Sequence, residues 1–440
     1  MKSIVIGAGM SGLCIGLILK KEGFEPVIYE KNKYAGGSFN SYRLKGYQID
    51  TGLHFLTRAE SGELPQLMRK YLGEDVFDSG FTSHKTYNFT FRGVSNPLPE
   101  GLGSLLKTNL FTRKGKIGFI RMFFDFLSLG RDGTESYKGY SPYDYIEKYV
   151  PDEKSFYFLN ALCWMCSGSS LKDASLFRFV DGVIGGKTMK DFLPSPGKKK
   201  YPPDYYPVGG LKALPELFVR KGGLEVKLGS GVERIYTKQG KVTGVLVGGK
   251  RIPADIVVYG GLVSELPGLV DGLSKEEIKK FKDIKEYKAI TLWVGFREKV
   301  ADWKGESLVK VQENLGSPHW AVFLTDLNPD FAPKGHQLLG MSAILHKDKD
   351  EMVREMEQTL EEMLPGCSDK IDLKYVQVMR AEKALQDKSH PMWDLPDHRT
   401  SIRGLYLVGT DTKGYGNGGT LCADSARRCF ERIREDSKVY

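Results

Sequence analysis

Three glycines spaced to hold a phosphate open the chain's chemistry. Gly7-Ala8-Gly9-Met10-Ser11-Gly12 follows the apolar run Ser3-Ile4-Val5-Ile6. Gly7, Gly9 and Gly12 stand at G-x-G-x-x-G spacing. One such glycine makes a tight turn, one lets backbone approach a pyrophosphate, and one packs helix on strand. The pattern predicts a helix from about Ser11 to Glu22. Leu13, Cys14, Leu17 and Ile18 recur at helical period, and Gly23 stops it. A second strand, Pro26–Tyr29, ends in Glu30. An acid about 20 residues past the glycines accepts hydrogen bonds from a ribose hydroxyl pair. A carboxylate there repels a 2′-phosphate, so the half-site suits FAD or NAD rather than NADP.

The next stretch separates those two. Lys31-Asn32-Lys33-Tyr34-Ala35-Gly36-Gly37-Ser38 leads into Gly46-Tyr47-Gln48-Ile49-Asp50-Thr51-Gly52-Leu53-His54. An acid, a short basic stretch, a glycine pair and an aromatic strand ending in Asp-x-Gly resemble the second fingerprint of the flavin amine oxidase and phytoene desaturase superfamily. The glycine pair lets backbone pass the second phosphate and ribityl chain, where a Cβ would clash. In that family an arginine usually follows the pair. Here Ser38 follows it and Tyr34 precedes it, leaving a hydroxyl or Arg43 as the substitute.

The chain's far end resembles the same superfamily. Gly404–Asp411 reads as an apolar strand ending in Gly409-Thr410-Asp411. Gly414-Tyr415-Gly416-Asn417-Gly418-Gly419-Thr420 and a helix to about Arg434 follow. The resemblance implies that Asp411 bonds the ribityl or phosphate region. It also implies that Gly418, Gly419 and Thr420 amides face the flavin pyrimidine end, where a helix N-terminus stabilises the negative charge of reduced flavin. Tyr206-Pro207-Val208-Gly209-Gly210 resembles the desaturases' Tyr-Pro-x-Gly-Gly. A β-meander should follow, with Val232 touching adenine through its backbone.

These segments imply an α/β fold. A Rossmann-like FAD-binding domain (parallel sheet plus β-meander) is assembled from residues 1–75, 205–265 and 395–440. Residues 76–204 and 266–394 should form an inserted α+β substrate domain of mixed sheet and helices. Alternating residues predict strands at Lys285–Arg297, Trp320–Leu324, Gln337–Leu345 and Ile371–Val378. Met352, Met356, Leu360 and Met363 predict one core-facing stripe on a helix over Asp348–Leu364.

Leu105–Leu129 mixes Lys107, Arg113, Lys114, Lys116 and Arg121 with Phe111, Phe119, Phe123, Phe124 and Phe126. A basic amphipathic helix rich in Phe lies in a membrane interface or serves as a lid; both readings stay open. Lys198-Lys199-Lys200 reads as a solvated loop. Cys163-Trp164-Met165-Cys166 sits in an apolar helical stretch and reads as buried structural thiols.

Composition bounds the rest. The 440 residues suggest roughly three lobes and carry 64 Lys+Arg against 55 Asp+Glu, a net charge of +9. At 41% hydrophobic and 27% charged they describe a globular chain, not a disordered one. No nucleic-acid module appears, and the charge alone is equally compatible with an anionic membrane surface. Six irregularly spaced cysteines fit a reducing compartment, so a cytoplasmic protein, peripheral at a membrane if the basic segment touches lipid, is expected. The histidines are scattered, with no metal site and no triad in view, so the flavin should carry the reaction. His54, just past Asp-x-Gly, is the one candidate acid or base facing it.

The leading expectation is an FAD-dependent oxidoreductase resembling bacterial-type phytoene desaturases. It would desaturate, saturate or isomerise a carotenoid or other isoprenoid chain. A flavin amine oxidase or protoporphyrinogen-oxidase-like enzyme is the runner-up, and a flavin-binding scaffold without turnover is the third. Oligomeric state is left open.

Overall fold

The computed structural model describes residues 2–99, 102–187 and 201–437. The Lys198–Lys200 run lies outside them. Five strands make one parallel sheet in the order Glu225–Lys227, Glu25–Tyr29, Lys2–Ile6, Ile256–Tyr259, Leu405–Leu407. Val5, Ile28, Val257, Val258 and Leu407 are fully buried, because a parallel sheet is covered on both faces. The first helix, Met10–Lys21, is buried from Met10 to Leu19. A stretch buried all round needs cover on every side, and part of it comes from the last helix, Gly418–Ser437. Val232–Lys238, Lys241–Val247 and Lys250–Pro253 form the antiparallel meander.

The second sheet has seven strands, ordered Ile371–Glu382, Tyr287–Phe296, Gln337–Ile344, His319–Phe323, Ser307–Lys310, Tyr87–Phe91, Val94–Pro97. It is mixed, because Ser307–Lys310 pairs in parallel with Tyr87–Phe91. Ile290, Leu292, Val294 and Met341 face Met352, Met356 and Leu360 of the Lys349–Met363 helix in one core. The other face carries Trp293 and Gln377 toward the parallel-sheet body. The fold is α/β, and the second sheet draws on both intervening segments.

A helical layer covers the Tyr87–Phe91 end. Phe126, Phe158 and Phe179 pack with Phe89 in a separate core. The Leu105–Leu129 segment is not one helix, which corrects the sequence reading. Leu102–Lys107 is one helix, and Arg113–Gly133 is another. The break has a local cause: the Thr112 hydroxyl accepts the Gly115 N–H and caps the second helix there. Cys163 and Cys166 lie in the Glu153–Ser167 helix. Burial raises both thiols, that of Cys166 to about 11, so neither is a ready thiolate.

Candidate flavin site

The crevice opens where the sheet's connections change direction. From Lys2–Ile6 the chain leaves toward Glu25–Tyr29, while Ile256–Tyr259 flanks the other side. Ligands of open α/β sheets bind at this point, outside the carboxyl ends of the strands. Gly7 ends the first strand against Gly260, with a built Cβ only 3.5 Å from the Gly260 carbonyl carbon. Gly12 must lack a side chain, because a Cβ would lie 2.0 Å from the Gly7 oxygen. Gly9 differs: a Cβ there meets nothing within 4 Å. Gly9 is also the N-cap of the first helix, which has no side-chain cap and no acid in its first turn. Unspent N–H groups at an uncapped helix start, facing open space, make an anion cradle.

The glycine pair closes this cradle. Gly36 N–H donates to Ala8 C=O at 2.7 Å, and a Cβ on Gly37 would lie 3.3 Å from Gly9 Cα. Glu30 is buried. Its Oε2 accepts Ala8 N–H at 2.7 Å, and its Oε1 accepts two N–H groups of Asn32, each at 2.8 Å. The acid thus ties down the glycine loop as well as standing at the ribose position. Ser230 N–H donates to Glu30 C=O at 2.7 Å, which draws Gly231 against Lys31 and brings half-buried Val232 beside the second strand. Ser11 is buried and hydrogen-bonds Cys422 on the last helix.

Of the expected substitutes for an arginine after the glycine pair, Arg43 falls away. Ser38 is exposed, and its C=O accepts the Thr51 hydroxyl. Arg43 does not reach in; its guanidinium donates outward to Gly46 C=O at 2.8 Å and Asp330 C=O at 3.1 Å. The antiparallel pairing of Ser41–Leu44 with Tyr47–Asp50 turns it there.

The chain's far end arrives at the same crevice. Asp411 is 1% exposed; its Oδ2 accepts Val263 N–H at 2.9 Å, and its Oδ1 has no hydrogen-bond partner. Gly409 is crowded by that oxygen and by Lys383 Nζ, at 2.3 and 2.9 Å from a built Cβ. Phe39 lies 3.6 Å from the Cβ position of Gly419 and stacks on His54, with ring centroids 5.3 Å apart. His54 is therefore one ring removed from the start of the last helix. Its Nε2 is buried without a partner, and desolvation lowers its pKa to about 4, so the imidazole is neutral. Thr420 is buried beside Gly419. One expectation needs correction: Gly418 N–H is not free for the flavin, because Glu382 Oε1 accepts it at 2.6 Å.

The motifs around Asp50 explain one another. Asp50 accepts the Ser41 hydroxyl at 2.6 Å, the Tyr206 hydroxyl, and Leu211 N–H at 3.3 Å. Desolvation nevertheless raises its pKa to about 6. The Asp-x-Gly turn and the Tyr-Pro-x-Gly-Gly segment are therefore two halves of one buried joint. Gly52 N–H, in turn, donates to Gln377 on the far sheet at 2.8 Å.

An ion cluster escaped the sequence reading. Arg178 donates to Glu382 Oε2 at 2.8 Å and to Gly416 C=O at 2.5 Å. Asp181 accepts Gly416 N–H at 2.9 Å and pairs with Arg131 at 2.5 Å. The glycine loop before the last helix is thus held by the helical layer. The available signal was a charge inside the apolar run Leu176-Phe177-Arg178-Phe179.

The cradle fits FAD on three counts: open space at Gly9, an uncapped helix start, and the unpaired buried oxygen of Asp411. Comparisons agree. The chain is 25% identical over 285 residues to a 1-hydroxycarotenoid 3,4-desaturase of Flavobacterium sp. (strain P99-3), covering 58% of this chain and 56% of that one. It is 23% identical over 309 residues to a 4,4'-diapolycopen-4-al dehydrogenase of Metabacillus indicus, covering 63% and 58%. The chain thus spans somewhat over half the length of these two relatives. In fold it matches a crystal structure of an oxidoreductase from Methanosarcina mazei, with TM-score 0.77 at 18% identity, covering 98% of this chain and 100% of that one. The family model of flavin containing amine oxidoreductases matches residues 10–429. With both chain ends meeting at one cradle and that match running nearly end to end, the chain belongs to the flavin-containing amine oxidoreductase family, and its cofactor is FAD.

Proposed function

We propose that this oxidoreductase moves a hydride between FAD and a CH–CH bond of an apolar isoprenoid chain, in desaturation, saturation or isomerisation. The observation that carries this reading is the desaturase similarity, which extends over 285 residues and so well beyond the glycine motifs. FAD supplies the hydride acceptor or donor; the protein supplies position and shielding. In this reading Gly7, Ala8, Gly9, Ser11, Gly12, Gly36, Gly37 and Ser38 line the diphosphate. Glu30 and Lys31 flank the adenosine ribose, and Val232 lies at the adenine. Gly409 and Asp411 hold the ribityl end, and Gly419 and Thr420 the pyrimidine end. His54 holds or receives a proton at Nε2. Residues 76–204 and 266–394 form the substrate lobe.

The amine-oxidase alternative implies an aromatic pair before the flavin, for which Tyr415 is the one tyrosine in the Gly414–Thr420 loop. Arg131 and Arg428 guanidinium carbons lie 4.8 and 4.1 Å from its ring centroid, so the ring is taken by cations. Anaerobic addition of a carotenoid polyene should bleach the oxidised flavin band, or, with reduced flavin, restore it. Bleaching by an aliphatic amine instead would establish the alternative. A response to neither, with FAD retained and no isomerisation of the polyene in the presence of reduced flavin, would leave a scaffold.

The helical layer supports contact with a lipid surface. Ile117 and Phe124 are 54% and 51% exposed, seven residues apart on one helical face with exposed Arg113, Lys114 and Arg121. Lys116 Nζ donates to Leu106 C=O at 2.6 Å and holds the exposed Leu106 nearby. Apolar tips among cations suit an anionic interface. Among the described residues no helix is long and apolar enough to cross a membrane. Co-sedimentation with anionic vesicles should fall severalfold in an Ile117→Ser/Phe124→Ser chain and with rising salt. Undiminished binding, or none at the outset, would return this face to a lid.

A further inference from the structure

The cradle lacks the arginine its glycine pair would normally precede, yet a cation does reach the crevice from the other lobe. Lys383 directly follows the Ile371–Glu382 strand. Its backbone N–H donates to the Thr410 hydroxyl at 3.0 Å, which fixes it beside Gly409 and Asp411. Its Nζ donates to Gly260 C=O at 2.7 Å and Gly261 C=O at 2.6 Å, at the end of the strand flanking Gly7.

An ammonium has three donors, and two are now spent. The third has Asp411 Oδ1 for a neighbour at 3.7 Å, too far for a hydrogen bond. That oxygen is the buried one without a hydrogen-bond partner. Both groups line a cavity of about 280 Å³ with Leu262, Val263 and Ser264; Arg380 and Glu286 line it too, but are paired with each other. A spare donor and a spare acceptor 3.7 Å apart match a group that accepts from one and donates to the other. A hydroxyl does both. A diphosphate oxygen has no proton for the carboxylate, and a ring carbonyl has none either.

We propose that Lys383 and Asp411 together clamp one ribityl hydroxyl of FAD, so that Lys383, from the substrate lobe, is a cofactor-binding residue. This rests on the crevice being the FAD site. The lysine also joins the two lobes through the cofactor: the far sheet's last strand ends on it, and the near sheet's loops hold it.

The test compares ligands that carry the hydroxyls with ligands that do not. FAD affinity for the apoprotein is measured by quenching of flavin fluorescence, and ADP affinity by calorimetry. Lys383→Met should weaken FAD at least tenfold, as loss of a charge-assisted hydrogen bond does, and leave ADP unchanged. Among FAD analogues each lacking one ribityl hydroxyl, one should bind about tenfold weaker to the unaltered chain and show no further loss on Lys383→Met. The analogue series needs no variant, so a misfolded Lys383→Met protein does not end the test. Equal binding of all analogues would overturn the clamp. So would a parallel fall in FAD and ADP, which would place Lys383 at the diphosphate. Failure of the unaltered chain to bind ADP would instead remove the crevice assignment itself.

Discussion

A Gly9→Val protein should leave a desalting column colourless while remaining folded. Gly9 has φ −66° and ψ 170°, a conformation any L-residue adopts, so the backbone does not require glycine. A Cβ at this position meets no atom of the protein within 4 Å. Valine therefore costs the empty protein little, and its methyl groups occupy the space over the first helix start. FAD affinity should drop at least a hundredfold, about 2.7 kcal/mol, with unchanged circular dichroism and apoprotein melting. Glu30→Ala should act similarly by another route, since it removes the acceptor at the ribose position and frees Ala8 N–H and Asn32. Retention of the flavin band near its original strength in both variants would place the cofactor elsewhere.

The second large effect is on stability. Arg178→Met should cost about 3–5 kcal/mol, the range for stranding one partner of a buried ion pair. Arg178 is 2% exposed and Glu382 5%. Without the guanidinium, Glu382 keeps Gly418 N–H and the Tyr287 hydroxyl but no cation, and Gly416 C=O loses its donor. The double variant Arg178→Met/Glu382→Gln should recover a substantial part, because no buried charge is then left unpaired. Urea denaturation of the three proteins reads this directly. A loss below about 1 kcal/mol in the single variant, the scale of an exposed pair, would show that the cluster is wet and loose.

What could be read from the chain, and what could not, follows sequence distance. Gly7, Gly9, Gly12 and Glu30 lie within one strand–helix–strand unit, where each residue type answers a local steric or electrostatic demand, and the structure gathers them as that unit requires. Strand alternation at Tyr287–Phe296 and the Met352–Leu360 stripe were legible for the same reason. The short strands Ser307–Lys310 and Tyr87–Phe91 were not, because their pairing joins residues more than two hundred positions apart. Arg178 and Glu382 are separated similarly and look like isolated charges until the fold closes. Arg43 had the right chemistry near the right motif, but a hairpin directs it outward. The Leu105–Leu129 break turned on one hydroxyl, Thr112, whose capping role the surrounding phenylalanines obscured.

The placement of Leu405–Leu407 at the edge of the parallel sheet has a consequence for biosynthesis. While the ribosome works through the long middle of the message, Ile256–Tyr259 presents an unpaired, wholly apolar border, and Met10–Lys21 waits for its late-arriving partner helix. Such borders recruit other unfinished chains. Shielding of the nascent polypeptide until Leu405–Leu407 and Gly418–Ser437 emerge, rather than the strength of any single contact, should govern the yield of folded protein.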